Sequence, residues 1–264
     1  MNRKPLFFLL LVLSVLISSC SQYQKLLKSS DNDLKYTEAL KHYENGDYLK
    51  AQQLFEQIQP FFKGTDKAEK IAFYSAYCYY KQEDYILGSF YFKAFATNFS
   101  TSPYAEEAAY MSAYCNYLDS PRSSLDPTNT LEAITSLQLF INQYPKSERI
   151  EKCNNLITEL RAKLEKKAID IALLYYKMDD YKASIVALNN VLKDFPDTKE
   201  KEMVLYSLMQ TKYQYAIKSI PEKRHDRMTE ALDAFDEYIA GFPKGQYSKD
   251  ALVIKKEIAK ELGN

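Results

Sequence analysis

The chain has 264 residues, of which 46% are hydrophobic and 27% charged, and its 35 basic residues balance 35 acidic ones. This balance argues against a nucleic-acid-binding protein, because phosphate contacts normally require a basic excess. Glycine occurs 6 times, too rarely for a fold rich in tight hairpins or phosphate-binding loops. The composition predicts an all-α protein and leaves 23 tyrosines, without any tryptophan, to be explained.

The first residues have the pattern of a secretory signal peptide. Arg3 and Lys4 precede an apolar run over residues 6–17, and small residues then lead into Cys20. The run is too short to cross a bilayer as a helix, which needs about 20 residues. The segment 17–20 resembles a bacterial lipobox, so we expect residues 1–19 to be removed and Cys20 to carry diacylglycerol and acyl chains. An ordinary signal peptide with a chance cysteine is the alternative.

Residues 20–32 are mostly polar and are predicted to form a lipidated tether. Cleavage removes two of the basic residues and leaves 33 against 35 acidic ones, so the mature chain is slightly acidic. Without a basic patch beside the anchor, acyl chains rather than anionic lipids are expected to hold the protein on its membrane. No acidic run follows Cys20, and this favours the periplasmic side over the cell surface.

Five copies of one helical hairpin follow the tether. Each copy has a small residue, bulky residues four and seven positions later, and a proline or its equivalent twelve positions later. The small residues are Ala51, Gly88, Ala133, Ser184 and Ala231. The spacing puts the bulky residues on one helix face, beside the small residue that lets a second helix approach. This is the second-helix pattern of a tetratricopeptide (TPR) repeat, so the sequence predicts an all-α TPR solenoid of five hairpins.

Turn signals separate the five copies. Three residues after the aromatic residue that ends each copy stands Thr65, Ser102, Ser147, Thr198 or Gly245. The hydroxyl residues are predicted to be helix N-caps, and Pro103 to be the first residue of its helix. Residues 148–177 lack proline and glycine and are predicted to form one long helix. The helix divides the chain into repeats 1–3, over residues 33–147, and a second half over residues 148–264.

The first helices of repeats 1–3 carry one aromatic stripe. In TPR proteins these helices line the concave face, and alanines 39 and 76 set the register of the stripe. Its members are Tyr36, Leu40, Tyr43, Phe73, Tyr77, Tyr80, Tyr110, Tyr114 and Tyr117. Tyrosine combines a large apolar area with a polar tip, which suits a groove for extended or aromatic-bearing peptides. For any single ring, packing between neighbouring helices is the alternative.

The second half does not continue this stripe, since Ile169, Leu173 and Tyr176 occupy the matching positions. Two halves of different chemistry suggest two different partners. The two histidines, His42 and His225, lie far apart without cysteines at ligand spacing. No GxSxG, P-loop or GxGxxG motif occurs, so we expect neither an enzyme nor a bound metal or cofactor.

The cysteines are predicted to be unpaired. Cys78 and Cys115 occupy equivalent positions in adjacent repeats, where helix axes lie about 8–10 Å apart. A disulfide requires Cα atoms roughly 4.4–6.8 Å apart, so we expect both residues to be buried free thiols. Cys153, on the long helix, has no evident partner in the sequence.

The lipobox and the five irregular repeats resemble the BamD (YfiO) family, lipoproteins of the outer-membrane β-barrel assembly complex. The sequence Ser102-Pro103-Tyr104-Ala105-Glu106 is similar to the start of that family's third repeat. The third-repeat loop, with Arg122 and Asp126-Pro127, is also similar to the family. In the long helix the similar residues are 161–165, 171–172 and 175–176. Residues 23–28 resemble the Bacteroidota variant of the family.

The resemblance implies a scaffold in the periplasm rather than an enzyme. Its members receive unfolded outer-membrane proteins, recognise their aromatic-ended C-terminal signal and dock on the insertase BamA. We therefore expect substrate recognition in the first three repeats and insertase docking over residues 182–262. The alternatives are a TPR lipoprotein that coordinates envelope or peptidoglycan synthesis, and a SusD-type nutrient-binding lipoprotein, which needs a much longer chain.

Overall fold

The structure is a computed structural model that describes residues 22–263, and all regular structure in this range is helical. A helical segment over residues 22–28 comes first. The helices that follow are α1 (Asn32–Glu44), α2 (Tyr48–Ile58), α3 (Asp66–Lys81), α4 (Tyr85–Asn98), α5 (Ala105–Asp119), α6 (Thr128–Gln143), α7 (Ile150–Lys177), α8 (Tyr181–Asp194), α9 (Lys201–Ile217), α10 (Pro221–Gly241) and α11 (Ser248–Leu262). A 3₁₀ turn, Gln59–Phe62, extends α2.

The chain forms two compact units. The first contains the chain up to residue 120 together with residues 128–157, and the second contains residues 121–127 and 158–264. The boundary therefore lies within α7, beyond the predicted division at residues 147 and 148. The predicted long helix is confirmed as Ile150–Lys177. In the second unit, the Lys167 ammonium donates a 2.8 Å hydrogen bond to the Leu125 carbonyl, which ties the loop before α6 to that helix.

The predicted repeat register is confirmed. The small residues at positions 51, 88, 133, 184 and 231 are all buried. The ten bulky residues four and seven positions later are also buried, namely Phe55, Ile58, Phe92, Phe95, Leu137, Phe140, Leu188, Val191, Phe235 and Tyr238. At Gly88 an added Cβ would lie 3.2 Å from the Cys115 sulfur, so α4 and α5 approach closely at this position. The all-α TPR fold follows from this spacing of small and large side chains.

Each hairpin of the first unit packs on the next one. Helices α1 and α2, α3 and α4, and α5 and α6 pair within hairpins, and α2 with α3 and α4 with α5 join them. In the second unit, the C-terminal part of α7 packs with α8 around Ile169, Leu188 and Val191, and α9, α10 and α11 complete the core. Cys78, Cys115 and Cys153 are buried free thiols, as the sequence predicts for the first two.

Three of the four hydroxyl residues predicted to be N-caps are wrong in position. Ser102, Ser147 and Thr198 stand three residues before their helices, which begin at Ala105, Ile150 and Lys201. Their hydroxyls accept hydrogen bonds from the N–H groups two residues further on, at 3.0, 3.1 and 3.0 Å, so they close a turn ahead of the helix. Pro103 belongs to that turn and is not the first helical residue. Thr65 does precede α3 directly, but its hydroxyl donates to the Phe62 carbonyl at 2.7 Å instead of capping.

The same hydroxyls donate to a glutamate on the first helix of the preceding repeat. Ser102 donates to Glu69 and Ser147 to Glu106, both at 2.6 Å, and Thr198 donates to Glu165. In the last repeat glycine replaces the hydroxyl residue. There the equivalent Glu202 accepts from the Tyr238 hydroxyl at 3.0 Å and from the Tyr247 N–H at 3.3 Å. A recurring carboxylate thus holds each inter-repeat turn against the helix before it.

The prediction of a polar tether is wrong from residue 22 onward. Residues 22–28 are helical, and Tyr23, Leu26 and Leu27 pack on the core of the first hairpin. The buried Lys35 ammonium donates to the Leu27 carbonyl at 3.0 Å and to the Gln57 amide oxygen at 2.9 Å. The three apolar residues at spacing i, i+3, i+4 form a helix face that the polar composition obscured. Cys20 and the predicted signal peptide lie outside the described residues.

Candidate functional site

The aromatic stripe lies on α1, α3 and α5 of the first unit, as predicted from the register. Phe73 and Tyr110 are 8% and 5% exposed, whereas the other aromatic members are half-buried. Phe73 contacts five neighbouring rings, including Tyr104 at 4.7 Å and Phe95 at 5.2 Å between ring centres. These two side chains mainly pack between helices, and the half-buried tyrosines form the accessible part of the face.

The structure brings the α3 and α5 members together in one continuous set of rings. Tyr110, Tyr114 and Tyr117 stack along α5 with ring centres 5.7 and 5.8 Å apart. Tyr80 joins the two helices, because its ring centre lies 6.4 Å from that of Tyr114. Tyr77 lies 6.2 Å from Tyr80 on the same helix. We call the half-buried Tyr77, Tyr80, Tyr114 and Tyr117, with the buried Tyr110, the tyrosine face.

The α1 members are arranged differently. Tyr43 packs on Tyr74 with ring centres 4.8 Å apart and lies close enough to Tyr77 to help raise the pKa of that phenol. Tyr36 instead packs on Phe62 at 6.0 Å, with the Lys67 ammonium 4.9 Å from its ring centre. Leu40 packs against the core of the first hairpin. The structure therefore places Tyr43 at the margin of the tyrosine face and Tyr36 with the turn before α3.

Burial keeps the phenols of Tyr77 and Tyr80 in their protonated form. Burial, followed by a hydrogen bond to the Glu107 carboxylate, raises the pKa of Tyr77 far above its usual value. Burial also raises the pKa of Tyr43 and of Tyr80. A phenol that stays neutral can donate to a peptide carbonyl or a carboxylate without first losing a proton. The face therefore offers apolar ring area together with neutral donors.

Two cations stand at one end of the tyrosine face, on the turn before α7 and on its first turn. The Arg149 guanidinium lies 5.0 Å from the Tyr110 ring centre, and the Lys152 ammonium lies 5.4 Å from Tyr110 and 5.0 Å from Tyr114. These are cation–π distances, which keep both charges beside the rings. Glu106 lies 3.9 Å from Arg149, so one of the two cations has a carboxylate near it.

The Tyr110 hydroxyl has no hydrogen-bond partner among residues 22–263, although it is buried. This hydroxyl raises the pKa of the neighbouring Lys152, whereas burial of the lysine lowers it. The Lys152 ammonium and the Tyr110 hydroxyl are not placed well enough to form a hydrogen bond. An unpaired buried donor costs about 1–3 kcal/mol, and such groups in native structures call for an explanation. An unpaired donor beside two cations is an arrangement that fits an incoming carboxylate.

Sequence reasoning missed Arg149, Lys152 and Glu107. Arg149 and Lys152 are three residues apart at the start of α7, a spacing that places them on one helix face and that the sequence did contain. Their position against α5 depends on the Ser147 turn, whose hydrogen bond to Glu106 is a tertiary contact. The predicted division after residue 147 places α7 in the second half of the chain, so the sequence alone does not connect the first turn of α7 with the stripe.

The second unit has a concave site of different composition. A cavity of about 570 Å³ lies along α7, with Ile169, Leu173, Phe195 and Met203 in its apolar lining. Charged residues of both signs surround this lining, among them Arg161 and Lys199. Ile169 and Leu173, which match the aromatic stripe in register, belong to the core that α7 forms with α8. The second unit therefore presents an apolar lining without tyrosine, surrounded by charges of both signs.

Metal binding and membrane crossing make specific demands on side-chain clusters and helices. Among the described residues, no group of three or more His, Cys, Asp or Glu side chains is placed to hold a metal ion. Over the same part of the chain, no helix has both the length and the apolar character that crossing a bilayer requires.

Comparison with protein-family models gives one match. The model of the family YfiO, described as outer membrane lipoprotein, covers residues 28–227, which is more than half of the chain. The chain belongs to the YfiO (BamD) family. The matched region contains all of the first unit from Lys28 onward, including the tyrosine face and the two cations, and extends into α10. No curated protein matches the sequence.

YfiO family membership confirms the resemblance seen in the sequence and makes the protein an outer-membrane lipoprotein by family. The predicted lipobox lies before the matched region, and α11 lies after it. The family match thus covers the helical repeats and does not include Cys20.

Proposed function

We propose that the protein is a lipid-anchored, periplasm-facing assembly factor for β-barrel outer-membrane proteins. Its first unit binds the aromatic-ended C-terminus of an unfolded barrel protein, and its second unit docks on a BamA-like insertase. Acyl chains on Cys20 hold it at the outer membrane. Membership of the YfiO family supports the general role. The observation that carries the specific role is the unpaired Tyr110 hydroxyl between two cations at the end of the tyrosine face.

The chemistry of a barrel-protein C-terminus matches this end of the first unit. Such a terminus offers an aromatic ring and a free carboxylate within one residue. The carboxylate can pair with the accessible Arg149 or Lys152, while the ring packs against Tyr114 or Tyr80. The Tyr110 hydroxyl is buried behind these cations and can donate to the carboxylate only when its ring turns to expose it. The preceding residues, in extended conformation, can then run along the tyrosine face toward Tyr77.

Peptide binding tests this role directly. In the double variant Tyr77→Ala with Tyr114→Ala, a C-terminal barrel-protein peptide should bind more weakly in fluorescence anisotropy, because two half-buried rings of the face are lost. Circular dichroism should show that the helices remain. The control is Tyr175→Ala, which removes a 37% exposed tyrosine of the second unit. Unchanged peptide binding in the double variant would assign these tyrosines to packing alone.

Docking on the insertase is tested through the second unit. Arg161 and Lys199 are exposed and line its cavity, so Arg161→Glu with Lys199→Glu reverses charge there without touching the core. Affinity purification from membranes should recover a BamA-like insertase with the parent protein and less of it with this variant. Lys193→Glu, an exposed lysine outside the cavity lining, is the matched control. Absence of the insertase with the parent protein would favour a scaffold for envelope synthesis.

A further inference from the structure

Exposed aliphatic side chains recur at one repeat position in the first unit. Leu49, Ile86 and Leu131 each stand two residues before the buried small residue of their repeat, and they are 59%, 67% and 51% exposed. In repeats 4 and 5 the same position holds Lys182 and Thr229. Scattered exposed leucines need no explanation, but the same position filled with an aliphatic side chain in three consecutive repeats does.

The three residues lie on one edge of the first unit. Leu49 and Ile86 are the second residues of α2 and α4, and Leu131 is in the first turn of α6. Each is therefore at the point where the first helix of a hairpin has ended and the second begins. Leu87, 39% exposed, adds a fourth aliphatic side chain at this edge. We call these four residues the aliphatic edge.

The described chain starts at the same edge. The Tyr23 ring packs edge-on against His42, near the end of α1, with ring centres 5.4 Å apart. The Tyr23 hydroxyl lies 3.1 Å from the carbonyl of Lys50, next to Leu49. Cys20 is three residues before Tyr23, and three extended residues span at most about 11 Å. A lipid attached to Cys20 can therefore enter its bilayer no more than about 11 Å from the backbone of Tyr23, whose side chain contacts this edge.

We propose that the aliphatic edge rests on the bilayer that holds the acyl chains of Cys20, with its side chains inserted among the lipids. The inference rests on the lipid anchor of the proposed function. The turns of this edge carry both signs of charge, with Lys41, Lys50 and Lys81 against Glu44, Asp47, Glu83 and Asp84. This lack of a basic excess fits insertion of aliphatic side chains and does not fit adsorption to anionic headgroups. The contact fixes which edge of the first unit faces the membrane.

Site-directed labelling of the full-length lipidated protein tests the contact. Single cysteines at positions 49, 86 and 131 are labelled with the environment-sensitive dye NBD, and the protein is reconstituted in phosphatidylcholine vesicles that contain doxyl-labelled lipids. Burial raises the thiol pKa of Cys78 and of Cys115 to about 12 and also raises that of Cys153, so the native thiols should escape labelling. Phe61→Cys is the matched control, because Phe61 is 68% exposed but lies at the far end of α2.

The expected result is a blue-shifted NBD emission, and a loss of that emission with doxyl lipids, at positions 49, 86 and 131 but not at 61. Equal quenching at all four positions would overturn the proposal. A blue shift without doxyl quenching would also overturn it, because the edge would then be covered by a second copy of the chain. Flotation with the vesicles and the mass of Cys20 report the anchor separately, and peptide binding by the tyrosine face is independent of both.

Discussion

The Tyr110 hydroxyl costs the folded protein free energy, because it is buried without a partner among the described residues. A packing role alone would be filled better by phenylalanine, which has the same ring without the hydroxyl. Retention of the hydroxyl beside Arg149 and Lys152 is understandable if a ligand oxygen completes the site. If the proposed peptide binds at this residue, the hydroxyl that lowers folding stability also strengthens peptide binding.

The variant Tyr110→Phe measures the effect of the hydroxyl on folding stability separately from its effect on peptide binding. Removal of the unpaired hydroxyl should leave the melting temperature unchanged or raise it, since the buried ring is retained. The same change should weaken binding of a peptide with a free C-terminal carboxylate by several-fold, consistent with about 1 kcal/mol for a lost hydrogen bond. Thermal denaturation and anisotropy on one preparation measure both quantities. A lower melting temperature with unaltered binding would show that the hydroxyl serves the fold.

The hydroxyl groups of the inter-repeat turns are expected to stabilise the fold. Thr198 is 9% exposed, donates to the Glu165 carboxylate and accepts from the Glu200 N–H. Thr198→Ala should lower the free energy of unfolding by about 1–2 kcal/mol, because hydrogen bonds to charged groups contribute more than neutral ones. Urea denaturation measures this change. Thr229→Ala, an exposed threonine bonded to its own helix, is the control and should have a much smaller effect.

Single residues show where sequence reasoning succeeds and where it stops. The buried positions of Ala51, Ala133 and Ala231 could be predicted because helical periodicity alone fixes which side chains face a neighbouring helix. The positions of Arg149 and Lys152 beside Tyr110 could not, because they depend on a turn that tertiary contacts hold. The Ser/Thr positions were recognised correctly as turn markers, but their carboxylate partners lie more than thirty residues away in the chain.

At the scale of elements, the segment over residues 22–28 shows how composition can mislead. Four polar or charged residues accompany its two leucines and one tyrosine, yet the apolar three share one face and pack on the first hairpin. The long helix α7 was predictable because it lacks helix-breaking residues, whereas the division into units within it was not. That division depends on which contacts each end of α7 makes.

Lys35 fastens the first helical segment to the first hairpin, and removing its ammonium should loosen that segment. The ammonium donates to the Leu27 carbonyl and the Gln57 amide in a buried position. In Lys35→Met an unbranched apolar side chain remains but the ammonium is lost. If the free energy of opening the segment falls by about 1.4 kcal/mol, amide hydrogen exchange over residues 24–28 should be about tenfold faster. Hydrogen-exchange mass spectrometry measures these rates. Lys41→Met, exposed on the same helix, should leave the exchange rates unchanged.

At the scale of the whole molecule, the two units differ in the surface that each presents. The first unit has a tyrosine face that ends at two cations, and the second has an apolar cavity with charges of both signs. Two chemically different surfaces on successive sets of repeats support the proposal that the protein brings two partners together. The YfiO family assignment is consistent with such a scaffold.

The free thiols give a test of the first unit as a folded body. Burial raises the pKa of Cys78 and of Cys115 to about 12, so both stay protonated at neutral and mildly alkaline pH. Because the thiolate is the reactive form, alkylation by iodoacetamide at pH 8 should be slow in the native protein and fast in denaturant. Mass spectrometry counts the modified sites. Rapid native alkylation of either cysteine would contradict the packing of α3 or α5.

Two peptides that differ only at the C-terminus measure whether the tyrosine face recognises a free carboxylate, as we propose. The affinity of the mature protein is compared for a barrel-protein C-terminal peptide with a free carboxylate and for the same peptide amidated. We expect amidation to weaken binding by about tenfold, which is about 1.4 kcal/mol, and we expect Arg149→Gln with Lys152→Gln to remove the difference between the two peptides. Equal affinity of the parent protein for the acid and the amide would contradict the account.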